Sequence, residues 1–479
     1  MSLRQSEASG LHHAFYPESI AVIGASANEE AERSEGWLGR LRQFGYQGRL
    51  YPINPRASQI MGMKAYASVT DVAEDVDYAI ITVPASLVPR VLGECVAKGV
   101  KFVHIHTGGF ADALNEEGSK LNDALAEVIK GSNTRVIGPN CLGVYCPSGG
   151  LTFITLFPRV AGPVAILAQT ASALIGLIPI ADARGIHFSK VVSYGNALDL
   201  DSPDFLEYLA DDPDTRYVMA YIEGVKDGQR FLKSVARCNS RKPVIILKAG
   251  VTQGGARAVT SHTASLVGAE HVWEAFFKQT HAIAVESFDE ALNQLVAFHY
   301  LKPPAGRRVG IVGLGGGWSV VTTDICEREG LLVPALSDES TRNLEKMKGL
   351  EVGRGIRNPV EVGLGKFGLS KEFVDALKIT AADSQIDFLL IQLYPGGYVQ
   401  QWAGGNQMDK AMDTLIDTVK GLPKPVVMVI GLGYDPHSMT ISVNAHKRCY
   451  EAGLPVFYAP DTAARAVSKL IGYYENRAS

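Results

Sequence analysis

The chain has 479 residues, is 46% hydrophobic and 20% charged, and carries a formal net charge of -4. That length suggests about three globular domains, and no run of Lys or Arg marks nucleic acid or an anionic membrane as the main partner. Its longest apolar runs are strand-length, short of the roughly 18 residues of a membrane span.

The N-terminus, MSLRQSEASGLHHAF, has no apolar core of a secretory signal. The six cysteines (Cys95, Cys141, Cys146, Cys238, Cys326 and Cys449) form no CxxC pair. They read as reduced thiols of a cytoplasmic protein, and no metal site is expected.

Short apolar, often β-branched runs alternate with helical patterns. In chain order they are Ile20–Ile23, Tyr78–Val83, Lys101–His104, Arg135–Ile137, Val164–Ala168, Val191–Ser193, Tyr217–Ile222, Val244–Leu247, Val309–Val312, Phe388–Leu393 and Val426–Ile430. Apolar runs without alternation predict strands covered on both faces, hence parallel sheets built from βαβ units. Val144–Gly162 and the Pro-rich Lys302–Arg308 interrupt the pattern. The expected fold is α/β, three doubly wound parallel-sheet domains over residues 1–146, 147–302 and 303–479.

Ile20–Ile23 leads into Gly24-Ala25-Ser26, a strand followed by a tight turn and a helix start. Gly24 permits close backbone approach, and a helix N-terminus favours a phosphate. Without a GxGxxG pattern the turn is either a ligand site or a plain βα connection. Four motifs follow later strands: INPR (Ile53–Arg56), TVPAS (Thr82–Ser86), HTGGFAD (His106–Asp112) and GPNCLG (Gly138–Gly143). Loops at the carboxyl ends of parallel strands are where such folds bind ligands. Arg56 suits a phosphate, and Gly108, Gly109, Gly138 and Gly143 would let amides approach an anion.

In the middle of the chain, GPVAILAQTASALIG places Gln169, Thr170 and Ser172 at a helix start, where they either cap the helix or bind an anion. Glu223 follows the buried strand of VMAYIEG, and Lys248 ends that of RKPVIILKAG. The stretch VTSHTASLVG then sets His262 before a helix expected to begin near Thr263–Ser265. A helix N-terminus opposes a cationic imidazole but suits a neutral or phosphorylated one. The second ring nitrogen would need a carboxylate, for which Glu223 is the best candidate. His104, His106, His187, His271, His281, His299, His437 and His446 read as structural.

These motifs resemble those of the α-subunit of nucleoside-diphosphate-forming acyl-CoA synthetases, the ADP-forming acetate–CoA ligases related to succinyl-CoA synthetase. IAVIGAS, INPR, GPNCLGV, AQTASAL, YIEG, KPVIILKAG and SHTASLVG stand in the family's order from about Ser19 to Tyr474. The resemblance implies a Rossmann-like CoA-binding domain followed by two flavodoxin-like domains. It implies conversion of acyl-CoA, phosphate and ADP or GDP to carboxylate, CoA and ATP or GTP through an acyl phosphate and a phosphohistidine. By the same resemblance, His262 is the phosphorylated histidine and Glu223 the carboxylate that orients it. Gln169, Thr170 and Ser172, with Thr263 and Ala264, hold the phosphoryl and acyl groups. Gly24, Ala25, Ser26, Arg56, Val83, Pro84, Ala85 and Asn140 contact CoA.

No GxxxxGK[ST] loop is present, and no region resembles the family's ATP-grasp domain. Nucleotide and Mg²⁺ are therefore expected on a separate ATP-grasp β-subunit, in an α₂β₂ assembly. A small carboxylic acid or acyl-CoA is the expected substrate.

The sequence departs from the family at Ala171 or Ser172, depending on register, and at Ala264, where glycines are usual, and in the acidic stretch AERSEGWLG. Those departures motivate one alternative, a CoA- or acyl-CoA-binding regulator that has lost ligase chemistry. An NAD(P)-linked dehydrogenase is a further alternative, against which the absent GxGxxG argues.

Overall fold

The computed structural model describes residues 10–34, 36–263, 270–313, 316–347, 357–362, 369–393 and 407–478. Its strands, in chain order, begin with β1 (Ser19–Ile23), β2 (Arg49–Ile53), the hairpin pair β3 (Gln59–Ile60) and β4 (Met63–Lys64), β5 (Tyr78–Ile81), β6 (Phe102–Ile105) and β7 (Arg135–Ile137). β8 (Gly143–Tyr145), β9 (Ala161–Ala168), β10 (Phe188–Ser193), β11 (Tyr217–Ile222), β12 (Val244–Lys248) and β13 (Ile283–Val285) follow. The last are β14 (Val309–Gly313), β15 (Val360–Glu361), β16 (Phe388–Leu393), β17 (Val426–Ile430) and β18 (Val456–Phe457).

Three sheets result, ordered β2-β1-β5-β6-β7, β13-β12-β11-β9-β10-β8 and β15-β14-β16-β17-β18. All pairings within them are parallel except β8 against β10. Setting β8 aside, each sheet has the same winding: its first strand lies between its second and its third. The winding therefore reverses between β1 and β5, between β9 and β11, and between β14 and β16. Such a reversal opens a crevice at the carboxyl ends of the two strands.

Helices cover both faces, so the central strands are buried throughout; β1, β5 and β6 show no exposed residue. The helix Val88–Lys98 shows how the sequence does this. Val88, Val91, Leu92 and Cys95 recur at helical spacing and form its buried face. Pro89 suits its first turn, and Gly99, at φ 77, ends it in a left-handed cap.

The acidic residues after Ser193 have a structural use. Asp201 caps the helix Ser202–Asp211, and Asp204 completes the capping box. Arg135 donates through Nε to Asp199 at 2.9 Å and lies 3.3 Å from Asp204.

The chain divides into two compact units, residues 1–182 with 187–288, and 183–186 with 289–479. Two elements cross the lines expected between domains. β8 lies ahead of residue 147 yet pairs with β10 in the second sheet. The helix Phe288–Tyr300 lies ahead of residue 303 yet falls almost wholly in the second unit. Gln294 Nε2 donates to the Ala466 carbonyl there, and Lys469 pairs with Glu290 at 2.6 Å.

The first two sheets share one unit because a backbone seam joins them. Asn196 N donates to Pro139 O at 3.0 Å, Leu198 N to Gly138 O at 2.8 Å and Leu200 N to Val136 O at 3.1 Å. Gly195 makes this approach possible. It sits at φ 52, and a Cβ there would stand 2.3 Å from the Asn140 carbonyl oxygen.

Among the described residues no helix is long and apolar enough to cross a membrane. All six cysteines are buried free thiols.

Adding a methyl to a glycine in ordinary backbone stabilises a chain slightly. Gly195→Ala should instead cost about 2 kcal/mol or more, read as a lower urea unfolding midpoint. An unchanged midpoint would remove the seam from the account of stability.

Candidate functional site

In the first unit the expected ligand residues gather on the carboxyl rim of the first sheet. Gly24, Ala25 and Ser26 form the turn after β1. Arg56 lies exposed on the turn after β2. Val83, Pro84 and Ala85 follow β5, and Asn140 follows β7, with a left-handed backbone at φ 58.

Hydrogen bonds lace these turns together. Asn54 Nδ2 donates to the Ala25 carbonyl at 2.8 Å, Thr107 Oγ1 to the Val83 carbonyl at 2.7 Å, and Asn140 N to the Thr107 carbonyl at 3.0 Å. Gly24 has no room for a side chain, since a Cβ would meet Thr82 Oγ1 at 2.8 Å.

The glycines expected to present amides to an anion do other work. The Gly109 and Phe110 amides donate to the Asp112 carboxylate at 2.9 and 3.0 Å, and Asn196 Nδ2 donates to it at 2.7 Å. These bonds hold the Asp112 carboxyl below the usual carboxylate range, although burial pulls the other way. Gly138 approaches the Ile105 carbonyl oxygen and Gly143 the His104 ring. His104 is a core residue. Burial pushes its imidazole down to about 3, and Nε2 lies 3.2 Å from the Cys141 carbonyl.

The second crevice lies at the reversal between β9 and β11. Gln169 follows β9, and Glu223 follows β11, 54 residues later. The Gln169 side-chain oxygen accepts from the Glu223 amide at 2.5 Å and from the Gly224 amide at 3.1 Å. The Glu223 side chain is 2% exposed, and its Oε1 accepts from the Tyr221 hydroxyl at 3.2 Å. Thr170 Oγ1 lies 3.4 Å from the hydroxyl of Ser172, the exposed first residue of the helix Ser172–Ala183.

Lys248, at the end of β12, completes this cluster. The sequence marked it only as a cation closing an apolar strand. Its Nζ donates to the Glu223 carbonyl at 2.8 Å and to the Ala249 carbonyl. It also sits 5.1 Å from the ring centre of Trp273, a residue that lines a groove of about 890 Å³ together with Val225–Gly228 and Phe276.

A helix already spans Gln253–Thr263, so His262 and Thr263 are helical and do not lie on a loop ahead of a helix start; Ala264 and Ser265 lie outside the described residues. The reason is local. Thr252 caps the helix, its Oγ1 accepting from the Gly255 amide at 3.1 Å and its carbonyl from the Ala256 amide at 2.7 Å. Gln253-Gly254-Gly255-Ala256 form the first turn of that helix. The open amides of that helix lie at that end.

Among the described residues, no group of three or more His, Cys, Asp or Glu side chains is arranged to hold a metal ion.

Comparison with known proteins adds to this geometry. Residues 18–147 match the CoA binding domain family, and residues 161–298 match the succinyl-CoA ligase like flavodoxin domain. The α-subunit of ADP-forming acetate–CoA ligase II from Pyrococcus furiosus is 34% identical over 471 residues, covering 97% of this chain and 98% of that one. The ADP-forming acetate–CoA ligase of Methanocaldococcus jannaschii is 39% identical over 355 residues, 74% of this chain and 49% of its own. The match thus spans about half of that relative's length. A dinucleotide forming acetyl-coenzyme A synthetase 1 of Ca. Korarchaeum cryptofilum, solved with phosphate and ADP, superposes with a TM-score of 0.81 at 28% identity, over 98% of each chain.

The lysine in the second crevice gives a pH test. Burial pushes the Lys248 ammonium down to about 8 from 10.5, against the opposing pull of Glu223. Between those two values the unfolded chain binds more protons, so this group's contribution to stability rises with pH. Lys248→Met lacks the rise. The wild-type urea midpoint should therefore gain on that of the variant from about pH 8 to 10; a constant difference would exclude a depressed lysine.

Proposed function

The chain belongs to the family of α-subunits of ADP-forming acetate–CoA ligases, and from this premise we propose that it is the catalytic α-subunit of a nucleoside-diphosphate-forming acyl-CoA ligase. Acyl-CoA, phosphate and ADP or GDP would give the carboxylate, CoA and ATP or GTP. The observation that carries the reading is the bond from the Gln169 side chain to the Glu223 amide. It joins the loop after β9 to the backbone of Glu223 after β11 at one reversal of winding.

In this reading residues 1–146 bind CoA, residues 147–302 carry the phosphoryl chemistry and residues 303–479 form a third domain. CoA lies along the first rim, against Gly24–Ser26, Arg56, Val83–Ala85 and Asn140. Phosphate attacks the thioester carbonyl; the C–S bond breaks, and CoA leaves as the thiolate and takes up a proton. The acyl phosphate then passes its phosphoryl group to the neutral His262 imidazole, and the carboxylate departs. An oxygen of the nucleoside diphosphate takes that group from the histidine.

Phosphoryl transfer rests on positioning and charge more than on covalent assistance. Gln169 holds its carbonyl oxygen toward the Glu223 loop, which leaves its Nε2 to donate to the phosphoryl or acyl oxygen. Thr170 and Ser172 offer hydroxyls and the helix-start amides beside it. Glu223 accepts the second imidazole N–H and fixes the tautomer that leaves the other nitrogen nucleophilic. Thr263 and Ala264 flank the histidine and shape the space around the transferred group.

Nucleotide and Mg²⁺ are assigned to a separate ATP-grasp β-subunit, in an α₂β₂ assembly. The Pyrococcus relative, itself a subunit alpha, supports a second subunit. Buried thiols suit a reducing compartment, and the cytoplasm is the proposed location.

The chain, mixed with an ATP-grasp partner, acetyl-CoA, ADP, Mg²⁺ and radiolabelled phosphate, should acquire acid-labile, base-stable label. His262→Ala should acquire none and lose turnover on the order of 10³-fold or more. Undiminished turnover in that variant would sink the phosphohistidine route.

A further inference from the structure

The amides that open the first crevice are already in use. Ser26 N, in the turn after β1, donates to one oxygen of the Glu32 carboxylate at 2.6 Å. Leu38 N, in the first turn of the helix Trp37–Phe44, donates to the other at 2.9 Å. The Glu32 side chain is 2% exposed. A carboxylate so held takes the donors that a phosphate at a strand–turn–helix junction takes.

The chain is shaped around this carboxylate. Gly36 lies against it so closely that a Cβ would stand 2.2 Å from the carboxyl carbon and from Oε1. The Gly36 backbone is extended, φ -79 and ψ 162, a conformation any residue adopts. The missing side chain therefore serves the contact and not the backbone. Glu32 itself sits on the six-residue helix Glu29–Ser34, inside the acidic stretch that departs from the family pattern.

We propose that Glu32 is a built-in occupant of the phosphate cradle of the first crevice, which a phosphate-bearing thiol carrier must expel in order to seat its phosphate on the Ser26 and Leu38 amides. Two anions cannot share the pair of donors, because each disfavours the other's charge at that distance. The intact chain thus holds CoA more weakly than the same fold with the cradle empty, and the penalty falls on the phosphate alone. This rests on the CoA reading of the crevice.

Calorimetric titration of the full chain with CoA, and competition by phosphate-free pantetheine, test it. Glu32→Ala empties the cradle. Gly36→Ala pushes the carboxylate out while keeping its charge. Both should tighten CoA binding about tenfold or more and alter pantetheine binding less than about twofold. Unchanged or weaker CoA binding in either folded variant overturns the proposal, as does an equal gain for pantetheine. Gly36→Ala decides alone if Glu32→Ala does not fold. CoA binding absent from wild type and both variants overturns the proposal together with the CoA reading, whereas intact wild-type binding without the gain overturns only the occupant.

Discussion

Right-handed crossovers between parallel strands are the constraint on which this structure rests. A chain that winds outward from one strand, returns and winds the other way must leave two neighbouring strand ends with helices departing to opposite faces. All three sheets do this, placing their first strand between the second and the third. In the first sheet the reversal sets Gly24 beside Thr82 and Val83. In the second it sets Gln169 beside Glu223 across 54 residues of chain. The candidate chemistry stands at these two points because the topology leaves backbone amides and carbonyls open there and covers them elsewhere.

The two crevices meet their polar obligations differently. In the first, internal carboxylates take the turn amides: Glu32 those of Ser26 and Leu38, Asp112 those of Gly109 and Phe110. Buried donors must be paired, and this chain pairs them with its own acids. In the second, a neutral side-chain carbonyl serves the Glu223 and Gly224 amides, while a lysine braces the Glu223 carbonyl. Negative charge is thus stored at the first crevice, while beside the second a buried carboxylate is balanced by a nearby ammonium.

Legibility followed burial. All eleven apolar runs read from the sequence are strands, and most lie in sheet interiors. β2, β8, β13, β15 and β18, each a sheet edge, and the hairpin strands β3 and β4 escaped notice. Most are too short to show as an apolar run: β8 and β13 have three residues each and β15 and β18 two, while Pro52 interrupts β2. The helix that carries His262 escaped notice for a local reason. Two glycines at its start weaken helical propensity, and the Thr252 cap that compensates them looks in sequence like any loop threonine.

By itself the sequence determined the α/β class, the central strands, the motif order and the residue types gathered at the strand ends. Those depend on local periodicity and on chemistry that each residue carries with it. Tertiary structure alone decided which donors are already spent and which partners meet. That Asp112 would consume the Gly109 amide, that Glu32 would lie across Ser26 and Leu38, and that Gly195 would allow the Asn140 carbonyl to come within a methyl's reach are facts of distance. They follow from how strands are ordered in space, which hydrophobic patterning leaves open.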